Sequence, residues 1–147
     1  MTRKEKFEFE LVDRSKANSY TKALTEWDIV KFQKRIHEEK CLCGNSITNL
    51  VYCTNRYTKT EILTGSCCCK KFMKINVDSY FTNLNKLKAN LNIILPINIL
   101  NFYYNNKVIT DWEYNFLIGL RKFKRLSLKQ MQLLERINLK ILEDYEK

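Results

Sequence analysis

All six cysteines of this 147-residue chain lie in one window, at Cys41, Cys43, Cys53, Cys67, Cys68 and Cys69. The flanking segments carry none. The N-terminal string MTRKEKFEFELVDRSK has no apolar stretch of the kind that directs secretion. The thiols are therefore expected in a reducing compartment, where a disulfide framework is disfavoured and metal ligation is the leading use of clustered cysteine.

The window has internal order. Cys41-Leu42-Cys43-Gly44 reads as a shortened metal knuckle, with two thiolates on a tight turn and a glycine where the backbone folds back. SITNLVYCTN (46–55) and YTKTEILTGS (57–66) are rich in Thr, Val, Ile and Tyr. They read as two strands joined by a turn near Asn55–Lys59. CCCKKFMKI then opens a predicted helix, whose start favours thiolate. Knuckle, hairpin and a helix supplying ligands from its first turn is the layout of a treble-clef zinc finger. Successive helical side chains diverge by about 100°, so only one or two of Cys67, Cys68 and Cys69 can face one ion. Cys69 is read as packing or a spare thiol, and Cys53, in mid-strand, as a small buried hydrophobe. The fourth ligand is His37, the chain's one histidine, or Cys67. A closed, sulfur-rich tetrahedral site selects Zn²⁺ in a structural role.

Around this module the pattern predicts an α+β fold, mostly helical. A single domain over 1–147 is expected, with an N-terminal helix over 19–40, a zinc module over 41–76 and a helical part over 78–147. FEFELV (7–12) alternates apolar and acidic residues and predicts a short strand. The 19–40 helix rests on the spacing of Ala23, Trp27, Val30 and Ile36, with Asn18 or Ser19 as its cap and Trp27 in the core. A helix follows from Asp78 and another after Pro96. Thr110…Glu113 and Ser127…Gln130 are capping boxes. They start a C-terminal helical hairpin with apolar stripes Trp112, Phe116, Leu120, Phe123 and Met131, Leu134, Ile137, Ile141. Three glycines and one proline leave little room for a flexible linker. No apolar run reaches the roughly 18 residues of a membrane span.

The formal charge of +10 is unevenly placed, since residues 41–147 hold sixteen Lys/Arg against eight Asp/Glu. Such a basic protein favours polyanions. Candidate nucleic-acid contacts are Arg56 and Lys59 at the hairpin tip, Lys70, Lys71 and Lys74 after the thiols, and Arg121, Lys122 and Arg125 before the last helix, with no local acid to balance them. Gathered on one face, these groups would form a polyanion surface joining the zinc module to the helical hairpin. Tyr57 beside Arg56 is a candidate for base stacking. Contacts to phosphate are weakly sequence-specific and sensitive to salt. The alternative is a protein–protein adaptor, or a small subunit of a larger machine, whose apolar interface would respond little to salt.

Enzyme signatures are missing. One histidine falls short of an HNH-type nuclease site, HEE has no later P-C-x-x-C as zinc deaminases require, and no phosphate-binding glycine loop occurs. The expectation is a non-enzymatic zinc and nucleic-acid binder with no small-molecule substrate.

The string from Ala23 to Phe72 resembles the zinc-motif proteins of large double-stranded DNA viruses, mimivirus-like ones especially, and of phages. The matching residues are Ala23, Glu26, Trp27, Cys41, Cys43, Gly44, Ile47, Asn55, Gly65, Ser66, Cys68, Lys71 and Phe72. DWEYNFL…LSLKQMQLLERI (111–137) is similar to a helical hairpin found beside such motifs. The resemblance implies Cys41, Cys43 and Cys68 as ligands. Cys67 stands where that pattern varies and Cys69 where it usually has Ile or Val. It also implies a setting in an infected cell, in viral DNA replication or transcription, in the cytoplasm, viral factory or nucleus.

Overall fold

The string TRKE at the start of the chain encodes a helix cap. The Thr2 hydroxyl accepts from the Glu5 amide at 3.1 Å, and the Glu5 carboxylate accepts from the Thr2 amide at 3.3 Å. From there α1 runs over Arg3–Asp13. In the computed structural model, which describes residues 1–147, this helix replaces the strand expected over 7–12. The alternating pattern misleads because Phe7 and Leu11 are also one helical turn apart. Those two are fully buried, while Phe9 between them is 60% exposed.

The helix expected over 19–40 is also corrected. Ser19 stands at the N-cap of α2, but α2 covers only Tyr20–Leu24, and Trp27–Lys40 forms the long strand β1. The apolar spacing between Ala23 and Ile36 fitted a helical period, yet Trp27, Phe32 and Gln33 are the buried residues of β1. Pairing with a neighbouring strand, which satisfies the backbone of a segment rich in aromatic and β-branched residues, outweighs that period. Trp27 is buried, as expected, and its indole N–H donates to the Ser15 hydroxyl at 2.8 Å.

The hairpin strands form where they were expected, as β2 Ser46–Asn55 and β3 Glu61–Gly65. The three strands make one antiparallel sheet in the order β1-β2-β3. Between β1 and β2 the register steps from Lys34↔Asn49 to Glu39↔Ile47. Four β1 residues, Arg35, Ile36, His37 and Glu38, therefore stand against Thr48 alone in a wide bulge. After β3 comes α3, Ser66–Phe72. It packs on α1, with the Phe7 and Phe72 ring centroids 5.3 Å apart. The Tyr20 hydroxyl of α2 donates to the Phe72 carbonyl.

Packing divides the chain into two units, Met1–Ser79 and Tyr80–Lys147. Helix α4, Asp78–Ala89, crosses that boundary near its start. The second unit continues with α5 Ile97–Asn105, α6 Asp111–Leu120 and α7 Leu128–Glu146. With seven helices and three strands the fold is α+β and mostly helical. Both expected C-terminal capping boxes form, Thr110 with Glu113 and Ser127 with Gln130. Lys140, late in α7, reaches Glu113 in the first turn of α6 at 2.7 Å, as a reversal between the two helices requires.

The α7 stripe is as expected, with Leu134, Ile137 and Ile141 fully buried. Of the α6 stripe only Leu120 is buried. The buried residues of α6 are Glu113, Leu117 and Leu120, while Trp112 is 60% exposed. Glu113 must face inward to cap Thr110 and meet Lys140, and this turns Trp112 and Phe116 outward. Buried Asn138 of α7 donates to the Leu91 and Ile93 carbonyls at 2.7 and 2.8 Å, satisfying a linker that has no ladder of its own.

Candidate metal centre

Chain reversal between β1 and β2 builds one side of the centre. The Cys41 amide donates to the Asn45 carbonyl and the Gly44 amide to the Cys41 carbonyl, both at 2.8 Å. This tight turn holds Gly44 at φ +97°, where a side chain would be strained. The Leu42 amide donates to the Leu63 carbonyl at 2.9 Å and pins the turn to β3. The far end of β3 leads into α3, which supplies Cys68. The Sγ atoms of Cys41, Cys43 and Cys68 all lie within 4.8 Å of one another, and all three residues are buried. The three thiols form a group that can hold a metal ion.

The site already favours thiolate at one member. The Gly65 amide donates to Cys41 Sγ at 3.4 Å, and the Thr64 hydroxyl lies 3.7 Å from the same sulfur. The hydrogen bond from Cys68, opposed by burial and aided by the Cys43 and Gly65 amides, lowers the Cys41 thiol to about 5. Cys68 is pushed up in the same exchange, first by its hydrogen bond to Cys41 and then by burial.

Arg3 completes the surroundings. Its Nη2 donates to Cys68 Sγ at 3.9 Å, and the nearby Cys43 and Cys68 sulfurs raise its own pKa. With the Asn45 amide oxygen turned toward it, Arg3 Nε donates to that oxygen at 3.1 Å. Three thiolates around a divalent cation carry a net charge of −1, and Arg3 brings the opposite charge. Sequence reasoning missed this residue because its segment read as the approach to a strand. The Thr2–Glu5 capping box was the signal that could have found it.

The remaining thiol-window residues separate cleanly. Cys53 and Cys69 are fully buried, as expected of packing residues. The hydrogen bond that Cys53 donates to Cys69, together with burial, pushes the Cys53 thiol well up and keeps it neutral. Cys67 is exposed, and His37 is exposed on the β1 bulge. Neither belongs to the three-thiol group. His37 is close in sequence, but it stands in the register gap between Lys34↔Asn49 and Glu39↔Ile47.

Three residues singled out by the resemblance serve the scaffold. Glu26 accepts from the Lys16 amide and the Asn55 side chain through Oε1, at 2.8 and 3.0 Å, and from the Ala17 amide through Oε2 at 2.9 Å. Burial pushes this carboxyl up, but the Asn55, Lys16 and Ala17 bonds outweigh it and hold it below its ordinary value. Asn55 Oδ1 in turn accepts from the Tyr57 and Thr58 amides at 2.9 and 3.0 Å, shaping the hairpin turn. Gly65 lies so close to β2 that a Cβ would stand 2.8 Å from Ile47 Cγ2.

The basic groups are less free than the sequence suggested. Arg56 pairs with Asp28 at 3.1 Å and also donates to the Thr25 carbonyl, and Lys70 lies 3.4 Å from Asp78. These exposed pairs are weak, but they correct the expectation that no acid balances those groups. Lys59, Lys71 and Lys74 are exposed. In the second unit Arg121 donates to the Leu95 carbonyl at 3.0 Å, Lys122 Nζ lies 5.4 Å from the Phe123 ring centroid, and Arg125 is exposed.

Comparison with protein-family models, curated proteins and solved structures finds no match. The functional reading therefore rests on the site itself. No helix is long and apolar enough to cross a membrane.

Proposed function

We propose that the chain is a non-enzymatic zinc protein that binds nucleic acid, with Cys41, Cys43 and Cys68 as thiolate ligands in a treble-clef-like module. The observation that carries the zinc reading is the three buried sulfurs within 4.8 Å of one another. Zinc–sulfur bonds of about 2.3 Å in a tetrahedron put sulfurs about 3.8 Å apart, so a modest contraction suffices. Soft thiolate donors suit zinc. Held there, the ion would tie the 41–45 turn to α3, and Arg3 would offset the charge of the thiolates. Its role is structural, since binding energy at such a site becomes folding energy.

The nucleic-acid reading draws its support from charge. Between residues 54 and 129 there are thirteen Lys/Arg and four Asp/Glu. Contacts of this kind go mainly to phosphate and carry little sequence preference. The resemblance of the cysteine motif to viral proteins favours a task in viral DNA replication or transcription.

Native mass spectrometry is expected to show one zinc per chain, and Cys43→Ser to lose it together with the order of residues 41–72. A gel shift with an oligonucleotide is expected to weaken steeply between about 50 and 200 mM salt. A folded, metal-free protein would overturn the zinc reading. Salt-independent binding, or none at low salt, would replace the nucleic-acid reading with that of an adaptor.

A further inference from the structure

We propose that Trp112 and Phe116 form a stacking platform for the bases of single-stranded nucleic acid, with the cations between α6 and α7 holding the strand's phosphates. This rests on the nucleic-acid reading above and assigns it a chemical class and a place.

The argument begins with the helix. At about 100° per residue, the buried residues Glu113, Leu117 and Leu120 share one face of α6, and Trp112, Phe116 and Gly119 share another about 100° away. On that second face the Trp112 and Phe116 rings are stacked, with centroids 5.4 Å apart and planes 9° from parallel. Trp112 remains 60% exposed and Phe116 is half-buried, so the Trp112 ring adds little to the core. At the next turn a Cβ on Gly119 would meet nothing within 4 Å. The stack is therefore unobstructed by a side chain at Gly119, one turn beyond Phe116. An exposed aromatic surface of this kind has a cost in water that a binding role explains.

Its surroundings choose the occupant. Helix α6 ends at Leu120, about 6 Å of helix rise beyond Phe116. Beyond Arg121, which is engaged with the Leu95 carbonyl, come Lys122, Lys124, Arg125 and Lys129, and no acid occurs between residues 114 and 134. Phe123 continues the aromatic character at 47% exposure with Lys122 over its ring. An apolar protein partner would not call for four cations and no acid at the C-terminal rim; the acids beside Trp112 lie at the other end, Asp111 accepting from the Tyr104 hydroxyl and Glu113 paired with Lys140. A duplex presents its phosphates but keeps its base faces inside the stack. A single strand offers both phosphates and unstacked bases, which is the combination that aromatic platforms beside cations hold.

The test uses the full chain and three probes: an oligothymidylate, a duplex of equal length and heparin. The chain's two tryptophans differ in access, Trp27 being buried and Trp112 exposed, so quenching by a bound base reports Trp112. Oligothymidylate is expected to quench the emission and to bind more tightly than the duplex. In Trp112→Leu/Phe116→Leu, followed by anisotropy of a labelled oligothymidylate, single-strand affinity is expected to fall about 5-fold to 150-fold for each stacked base lost. Heparin affinity and helicity stay unchanged. Unchanged single-strand affinity in the double variant, or saturation with oligothymidylate without quenching, overturns the platform while leaving nucleic-acid binding intact. Absence of binding to oligothymidylate and duplex alike at low salt overturns both readings.

Discussion

Replacing Gly65 with alanine tests how closely β3 must approach β2 to build the metal centre. Gly65 has φ −84°, so alanine meets no backbone strain there. The obstacle is steric: the new Cβ would lie 2.8 Å from Ile47 Cγ2, where carbon atoms pack at about 3.5–4.0 Å. That methyl sits directly on a strand Cβ, and a β-branched side chain has little freedom to swing away. The displacement therefore passes to the Leu50↔Gly65 pairing and to the Gly65 N–H bond with Cys41 Sγ. Overpacking of this kind costs about 1–3 kcal/mol. The stiffer unfolded chain returns about 0.4–1 kcal/mol. Gly65→Ala is thus expected to lose about 1.3 kcal/mol, the centre of the difference between the two ranges, read as a lower urea midpoint for the zinc-loaded protein. Ile47→Ala alone leaves a gap, but in the double variant that gap accepts the new methyl. The two costs should then fall short of additivity by about 1 kcal/mol, within the range typical of residues in contact. A Gly65→Ala protein as stable as the parent, or strictly additive costs, would refute the close-approach argument.

Two further outcomes follow from the same geometry. His37→Ala is expected to retain zinc as the parent does in competition with a chelator, whereas Cys68→Ser loses it. Equal losses would mean that His37 reaches the ion and the three-thiol set is wrong. Glu26 and Glu113 both have carboxyls held below the ordinary 4.5, so each stabilises the fold fully above that value and ceases to do so as pH falls through its lower folded value. Urea midpoints of the parent and Glu26→Gln should therefore differ near neutral pH and converge as pH falls through the lowered Glu26 value. A difference that persists in acid would show that the Glu26 charge is not what the Lys16, Ala17 and Asn55 donors require.

The cysteine window, the hairpin and two of the three capping boxes were legible in the linear string because each depends on residues close in sequence. Cys41-x-Cys43-Gly44 makes its own turn, Asn55 closes the hairpin with its own side chain, and Thr110–Glu113 and Ser127–Gln130 satisfy amides three residues away. The selection of Cys68 over its two neighbours was legible only through the resemblance, because spacing alone leaves the helix rotation open. Cys69 turns to the buried Cys53 and Cys67 to solvent because α3 is held by Phe72 on Phe7, a contact across 65 positions of sequence.

What tertiary structure alone decided is where competing local patterns resolve. Residues 7–12 suit a strand or a helix by period, and burial of Phe7 and Leu11 selects the helix. Residues 27–40 suit a helix by spacing, and the hydrogen-bonding edge offered by β2 selects the strand. His37, four residues before Cys41, stands exposed in the bulge of that pairing and outside the three-thiol group. Arg3 comes to those thiols, and Trp112 is left outside the core because Glu113 is needed within it by Thr110 and Lys140. In each case the local energies are close, and the partner that breaks the tie lies on a distant segment, so periodicity within the segment carries no record of it.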